Sequence, residues 1–221
     1  MKFLSKKQKE NKRRYVTALC LSVFLLSIFV VMQALESSRS ATDTDQVTLT
    51  TTVAETIALS CTTPVALGTL TPGTPVYNSN VCTTTTNANE GYNLAVMRDD
   101  ADTTMDLVAN AATNITDKTA WDPTANTGDG NAATWASTGL GFSVFASTAT
   151  KNATWWGAGS ACDDALNKYA GFPTAYANIM QHTAYAGTST TTSVCYKLDV
   201  PTTQPSGVYD GTVTFQATST P

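Results

Sequence analysis

The chain is poor in the side chains on which most hydrolytic and nucleic-acid-binding proteins depend. It has a single histidine, His182, in 221 residues. From Ala41 onward it has five basic and 15 acidic residues, a net charge of −10. A Ser-His or Cys-His nucleophile needs a histidine base held by a third group, and binding of phosphate backbones needs clustered Lys and Arg. The sequence therefore predicts neither an enzyme nor a nucleic-acid-binding protein, and it indicates no cofactor.

Cysteines are few, and they lack the C-x-x-C spacing of a structural zinc site. Cys20 lies in an apolar run near the N-terminus, and four cysteines follow it. An even number of cysteines in an exported domain predicts two disulfides. Of the three pairings that four cysteines allow, we favour Cys61–Cys82 and Cys162–Cys195, because each closes a short loop.

Residues 15–35 form a nearly uncharged apolar run behind a basic flank at residues 1–14. A helix of roughly 20 apolar residues spans a bilayer, and the basic flank should stay in the cytoplasm and send the C-terminus outward. A cleaved signal peptide, whose apolar core is usually about 7–15 residues long, is the alternative. We favour a membrane anchor with the rest of the chain on the cell surface. A cleaved signal would instead give a secreted protein.

Beyond a polar linker at residues 36–45, apolar and polar residues alternate in short runs, as they do in half-buried strands. The clearest runs are 47–53, 57–61, 92–96, 140–146, 194–200 and 209–215. They predict an all-β, antiparallel β-sandwich over residues 46–221. The abundant threonine suits the solvent face of such strands. Residues 162–170 are the one candidate for a short helix in this domain.

Residues 99–137 interrupt the alternation and are rich in Asp, Asn, Ala and Thr. We expect them to form a long, partly ordered surface insertion between core strands, where binding functions often lie. Carboxylates of this region are weak candidates for calcium ligands, since calcium takes several oxygen ligands. These residues are Asp99, Asp100, Asp102, Asp122 and Asp129. Their spacing does not match an EF-hand, and solvated turn residues are the simpler interpretation, so no metal site is assigned.

Trp155 and Trp156 are the most suggestive candidates for contact with a ligand. Adjacent residues of a strand face opposite ways, so one tryptophan can lie in the core while the other is exposed. An exposed aromatic ring can stack on a sugar or pack against a neighbouring subunit. Packing of both rings inside the domain is the alternative.

Several stretches resemble the secreted domain of the spore coat protein U family and its relatives among the archaic chaperone–usher pilins. They are Cys61 with the Val-Ala-Leu-Gly-Thr-Leu run at 65–70 and Pro72-Gly73, Cys82 with the threonines after it, Gly91-Tyr92-Asn93-Leu94, and the closing segment 205–215. The resemblance implies an immunoglobulin-like sandwich used in surface fibres or coats. In pilins of this type, an N-terminal extension fills a groove of the next subunit.

Together these observations predict a non-enzymatic structural or adhesive protein of the cell surface, such as a coat or fibre subunit, held to the membrane by its N-terminal helix. The alternative is a carbohydrate-binding surface module that uses the exposed tryptophan and the 99–137 loop. We expect residues 46–53 to pair within their own chain, because an anchor limits their reach. Pairing with a neighbouring copy is the alternative, since edge strands offer unpaired backbone groups.

The leader interpretation has a direct test. If residues 15–35 are an uncleaved anchor, N-terminal sequencing of the mature protein should find the original N-terminus, and the protein should fractionate with membranes. A mature N-terminus near Leu35 or Ala41 would show instead that the leader is a signal peptide and that the product is secreted.

Overall fold

The structure is a computed structural model that describes residues 6–36, 42–148 and 151–220. The chain divides into two compact units, Met1–Thr52 and Val53–Pro221. The second unit is called the β domain below. Two predicted segments are described only in part, because residues 1–5 of the basic flank and residues 37–41 of the linker lie outside the described residues.

The first unit contains one long helix, α1 (Lys6–Glu36). Within it, Glu10–Met32 is long and apolar enough to cross a membrane. The side chains of this stretch are exposed throughout, and hydrocarbon is a suitable surrounding for such a surface. A signal sequence near the N-terminus has the same properties. Together with two disulfides in the β domain, the helix indicates an extracellular or membrane-associated protein.

The β domain is all-β, as the alternating runs predict. Its described strands are β1 (Ile57–Cys61), β2 (Val76–Thr86), β3 (Tyr92–Arg98), β4 (Met105–Leu107), β5 (Asn110–Ile115), β6 (Ala133–Thr134), β7 (Gly139–Ser147), β8 (Lys168–Tyr169), β9 (Ala177–His182), β10 (Thr190–Asp199), β11 (Tyr209–Asp210) and β12 (Val213–Ser219). A four-residue helix, α2 (Ala153–Trp156), follows β7.

Two larger sheets and two small ones are formed from these strands. The first sheet has the order β1-β2-β10-β7, and the second has the order β12-β3-β9. The small sheets are β11-β4-β5 and β6-β8. Every strand pair is antiparallel. In the first sheet, strands that are distant in sequence, such as β2 and β10, are neighbours.

Side chains of the two larger sheets meet in one core. Tyr92, Leu94 and Val96 of β3 have no exposed surface, and neither has Val194 of β10. The hydroxyls of Tyr92 and Thr190 lie 2.6 Å apart, which joins the two sheets by a buried hydrogen bond. The period-2 alternation predicted for β3 and β10 is thus confirmed, because every second side chain enters the core.

Threonine does not keep to the solvent face. In the run at residues 83–86, Thr84 and Thr86 are buried, and Thr190 and Thr192 are buried on the neighbouring β10. The Thr86 hydroxyl donates to the backbone oxygen of Thr56 at 2.8 Å, and the Thr190 hydroxyl donates to that of Thr84 at 3.2 Å. A β-branched side chain packs well on either face of a strand. Threonine alone therefore does not show which face of a strand is buried.

Residues 162–170 are not a helix, contrary to the prediction. The Asp164 carboxylate accepts hydrogen bonds from the backbone N–H groups of Leu166 and Ser160. The Asn167 amide donates to the backbone oxygen of Ala161 at 2.7 Å. These side chains satisfy backbone groups in turns, which is how Asp and Asn compete with helix formation.

The 99–137 insertion is more ordered than predicted, and it covers one edge of the first sheet. It contains β4, β5 and β6. Just beyond β5, Lys118 donates its backbone N–H to Leu140 of β7, and Leu140 donates to Thr116. Ala170 and Phe142 exchange a further pair of backbone hydrogen bonds at 2.8 and 3.1 Å. The edge of β7 that does not face β10 is therefore hydrogen-bonded to other parts of the domain.

Both predicted disulfides are confirmed. Cys61 and Cys82 are directly opposite each other in the β1–β2 pair and are bonded. Cys162 is bonded to Cys195 and ties the irregular segment before β8 to the central strand β10. Cys20 is the free cysteine among the described residues and lies exposed on α1.

Loss of either disulfide should destabilise the β domain by about 2–5 kcal/mol, the usual effect in a small exported domain. The bridges span 21 and 33 residues, so the chain-entropy model predicts nearly equal losses for the two pairs. Paired cysteine-to-alanine variants can be compared with the wild type by denaturant unfolding followed through tryptophan fluorescence. A loss well below this range would show that the bridge does not constrain the unfolded chain.

Candidate functional site: the open side of the β domain

The only histidine of the chain, His182, packs against an aromatic ring. The His182 ring lies 5.5 Å from that of Tyr92, tilted by 46°. Among the residues that the structure describes, no carboxylate or nucleophilic side chain hydrogen-bonds to the imidazole of His182. A catalytic histidine needs such partners to fix its tautomer and its proton, so the geometry here offers a ring contact and no reacting pair.

The acidic residues of the insertion organise loops. Carboxylate oxygens of Asp100, Asp102 and Asp106 come within 4.8 Å of one another. Each carboxylate accepts a local hydrogen bond, for instance from the side chain of Asn114 to Asp102 at 2.7 Å. Exposed acidic groups of this kind are common without an ion. The other calcium candidates, Asp99, Asp122 and Asp129, lie outside this cluster.

Trp156 is a core residue and cannot contact a ligand, contrary to the prediction. It has no exposed surface, and its indole N–H donates to the backbone oxygen of Ile179 in β9 at 2.8 Å. Trp155 is half-buried, and its indole N–H donates to the backbone oxygen of Gly128 at 2.9 Å. The two residues belong to α2 rather than to a strand, so the alternation of a strand does not apply to them.

A third tryptophan joins this group from the insertion. The ring of Trp121 lies 4.4 Å from that of Trp156 and 5.3 Å from that of Trp155. Its indole N–H donates to the backbone oxygen of Asn178 in β9 at 2.6 Å. Indoles combine a large apolar body with one donor that must be satisfied when it is buried. The aromatic cluster therefore ties β9, the last strand of the second sheet, to the core.

The opposite side of the domain is open. Strands β1 and β12 lie next to each other, and each is the end strand of its own sheet. No hydrogen-bonded strand pair joins them among the described strands. Beyond β1 the chain continues along β2 with few contacts, among them the bond from the side chain of Asn78 to the backbone oxygen of Ala66. This side of the domain, formed by residues 57–70 and β12, is called the open side below.

Apolar side chains on the open side are only half-buried. They pack against the core and remain partly exposed, whereas their neighbours on β2, β3 and β10 are closed off from solvent. They are Ile57, Leu59, Val65, Leu67, Leu70, Val213, Phe215 and Ala217. Unpaired strand edges and exposed apolar patches are both features that recur at protein interaction surfaces.

Strand β12 itself carries no charge, proline or bulge of the kind that usually protects an edge. Its seven residues contain no charge and no proline, and its pairing with β3 runs from Val213 to Ser219 without a register shift. Exposed strand edges are normally shortened, charged, bulged or covered, because their free backbone groups can pair with another chain. The uncharged sequence of β12 could have signalled this edge in advance, but its position at the end of a sheet could not be read from the sequence.

Residues 46–53 do not pair within their own chain, contrary to the prediction. They have no strand structure and are exposed. Val47, Leu49 and Val53 are 81 %, 90 % and 76 % exposed. The apolar residues of this segment are thus fully available to solvent in a single copy.

Hydrogen bonds to Asn87 hold the residues directly before β1. The Asn87 carbonyl oxygen accepts from the backbone N–H of Thr56 at 2.6 Å, and its amide donates to the backbone oxygen of Ala54 at 2.9 Å. The backbone N–H of Asn87 donates to Thr56 as well. These residues lie directly between the segment and β1. Residue 55 also contacts the end of β12, because the Ser219 hydroxyl donates to the Glu55 carboxylate at 3.0 Å.

An ion pair holds the end of β3, the strand to which β12 is bonded. The Nη1 atom of Arg98 lies 2.6 Å from Oδ2 of Asp117. The two side chains are 10 % and 6 % exposed. The Thr104 hydroxyl and backbone N–H also donate to Asp117. Burial raises the pKa of Asp117, and the hydrogen bonds from Thr104 and the charge of Arg98 oppose this only in part. Desolvation by burial is thus the largest cause of the shift in this pKa.

Comparison of the chain with protein families, with curated proteins and with solved structures finds no significant match. The function is therefore inferred from the geometry of the β domain and of residues 46–53. The feature that calls for explanation is the open side, because the other end strands, β7 and β9, are tied to the rest of the domain.

The raised pKa of Asp117 predicts a pH dependence of stability. Between the ordinary value of 3.8 and the raised folded pKa, the folded protein binds more protons than the unfolded chain. Its free energy of unfolding should therefore fall as the pH rises through that range. Denaturant unfolding at several pH values should show this fall in the wild type relative to Asp117→Asn.

Asp122→Asn is the matched control, because hydrogen bonds from Thr124 lower the pKa of Asp122. At that position the wild type should instead lose stability, relative to the variant, as the pH falls through the folded pKa. A wild type that gains stability with pH relative to Asp117→Asn would show that the Arg98 ion pair outweighs the cost of burial.

Proposed function

We propose that the chain is a non-enzymatic structural subunit of a cell-surface fibre or coat, in which residues 46–53 of one copy add a strand to the open side of the next. The proposal rests on two features of the same chain that each lack a partner in a single copy. The open side has a free strand edge and half-buried apolar side chains, and residues 46–53 have exposed apolar side chains and no partner strand.

The order of the strands supports an immunoglobulin-like sandwich as the framework. In constant-type domains one sheet has the strands A-B-E-D and the other has C-F-G. Here the first sheet, β1-β2-β10-β7, follows the A-B-E-D order. In the second sheet β3 and β12 take the places of C and F, whereas β9, on the other side of β3, has no counterpart in this order. The place of strand G beside β12 is the one that a strand from another copy would take.

The chemistry of the donated segment suits this place. Residues 47, 49, 51 and 53 lie on one face of an extended chain, and three of them are Val47, Leu49 and Val53. Burial of one such aliphatic side chain contributes about 1.5–3 kcal/mol. The backbone of the segment would also satisfy the free groups of β12, which gives strand addition its affinity. Neither β12 nor residues 46–53 contain a charge that would have to be desolvated.

The N-terminal helix decides where such joining can occur. An uncleaved helix would anchor the copy in the membrane with the β domain outside. The linker residues 37–45 span at most about 30 Å when fully extended, so an anchored copy can donate its segment only close to the bilayer. We therefore assign anchored copies to the membrane end of an assembly. Growth away from the membrane requires copies whose helix has been removed.

Substitution within residues 46–53 tests the proposal. In the full chain, Leu49→Asp should abolish joining between copies, because a carboxylate would have to enter the apolar row of the open side. Thr48→Asp is the matched control, since residue 48 faces the other way on an extended strand. Light scattering of the purified protein should give oligomers for the wild type and for Thr48→Asp, and monomers for Leu49→Asp.

Electron microscopy of cells that produce each variant should show fibres or a coat in the same two cases. A synthetic peptide of residues 45–54 should compete with joining between wild-type copies. The proposal is wrong if the wild type remains monomeric at all concentrations, or if Thr48→Asp is as damaging as Leu49→Asp.

A further inference from the structure

A shallow cleft of about 480 Å³ lies beside β9. One wall is formed by residues 120–123 of the insertion, and the other is formed by residues 173–178, which lead into β9. None of the residues of the open side lines this cleft, so it is a separate feature of the surface.

The base of the cleft is held rigidly. Trp121 is 2 % exposed and packs against the aromatic cluster. Its backbone N–H donates to the backbone oxygen of Gly171 at 2.8 Å. Its indole N–H donates to the backbone oxygen of Asn178 at 2.6 Å, which links Trp121 to the opposite wall. Pro123 lies in one wall and Pro173 in the other. Each proline ring fixes the backbone φ angle of its residue. A site that is already ordered loses little conformational entropy when a ligand binds.

Polar groups without protein partners surround this base. Tyr176 is 42 % exposed, and Thr174 and Asn178 are also exposed. In the described structure none of these three side chains makes a hydrogen bond. Asp122 uses its Oδ1 atom to accept from Thr124, which leaves Oδ2 free. The cleft thus combines an aromatic ring with a hydroxyl, an amide and a carboxylate that are available to a ligand.

The charge of the cleft selects among ligands. No Lys, Arg or His lines it, and Asp122 is its one charged residue. Phosphate, sulfate and uronate groups would therefore meet no counter-charge and one like charge. A neutral sugar ring meets neither difficulty, because its C–H face packs on an aromatic ring while its hydroxyls bond to amide and carboxylate oxygens. We propose that this cleft binds a neutral saccharide.

The position of the cleft makes it independent of the proposed joining of copies. In the second sheet β9 and β12 are opposite end strands, with β3 between them. A strand added to β12 would leave the residues beside β9 accessible, so each joined copy would keep its own cleft. Weak single sites that repeat along a fibre or coat bind a glycan-covered surface with an avidity far above that of one site.

A glycan array is the first test, with the full chain purified in a zwitterionic detergent that has no sugar headgroup. The probes are neutral oligosaccharides of glucose, mannose or N-acetylglucosamine, their sulfated and uronate-containing counterparts, and a proline-rich peptide. The wild type should retain one class of neutral oligosaccharide. Tyr176→Ala should lower the affinity by about fivefold or more, as expected for loss of an aromatic contact.

Tyr185→Ala is the matched control, because Tyr185 is 64 % exposed and does not line the cleft. It should bind like the wild type. Asn178→Ala is a second test variant, since it removes an uncommitted amide and keeps the backbone oxygen to which Trp121 donates. Denaturant unfolding should show that all three variants are folded.

Binding by Leu49→Asp, which should be monomeric, separates this site from the joining of copies. Retention of a neutral glycan by that monomer supports the cleft whether or not fibres form. Four results would overturn the proposal: no retained glycan, retention of anionic glycans only, retention of the proline-rich peptide only, or equal losses in Tyr176→Ala and Tyr185→Ala.

Discussion

A core shared by two β-sheets is closed only where the end strands of both sheets are paired or covered, and the β domain meets this condition on one side. There, β7 exchanges backbone hydrogen bonds with residues of the insertion and with Ala170. Strand β9 receives two indole N–H groups. On the other side β1 and β12 end their sheets without a further partner strand. The half-buried apolar side chains of the open side follow from this one difference.

The aromatic cluster explains how the closed side is built. Each of Trp121 and Trp156 places its ring in the core and donates its one polar hydrogen to a carbonyl of β9. Phe142 of β7 lies 5.1 Å from the ring of Trp156, so the cluster connects an end strand of the first sheet with an end strand of the second. An aliphatic residue could fill the same space but could not satisfy the carbonyl. The insertion contributes one tryptophan to this cluster, Trp121, and α2 contributes the other two.

The two proposals use these two sides differently. The open side offers backbone groups and an apolar row, which are suited to an extended strand of another copy. The closed side offers a rigid cleft with uncommitted polar groups, which is suited to a small neutral ligand. Because the two surfaces lie at opposite ends of one sheet, assembly and ligand binding need not compete. A structural subunit could in this way also serve as a repeated contact site.

The sequence by itself determined the leader, the all-β class and both disulfides. A long apolar run, period-2 alternation and an even number of exported cysteines are local signals, and they need no knowledge of the partner strand. Local pairs such as Cys61 with Cys82 are favoured because the intervening loop is short.

Only the tertiary structure decided which surfaces are buried. Alternation at residues 46–53 shows that the segment can form a strand, but the segment has no strand structure in a single copy. Threonine fits either face of a strand, so the run at 83–86 could not reveal its buried side. The sequence did not show which of Trp155 and Trp156 is exposed, and the packing of α2 places Trp156 in the core. In each case the outcome depends on hydrogen bonds and packing between residues far apart in sequence, which no local pattern specifies.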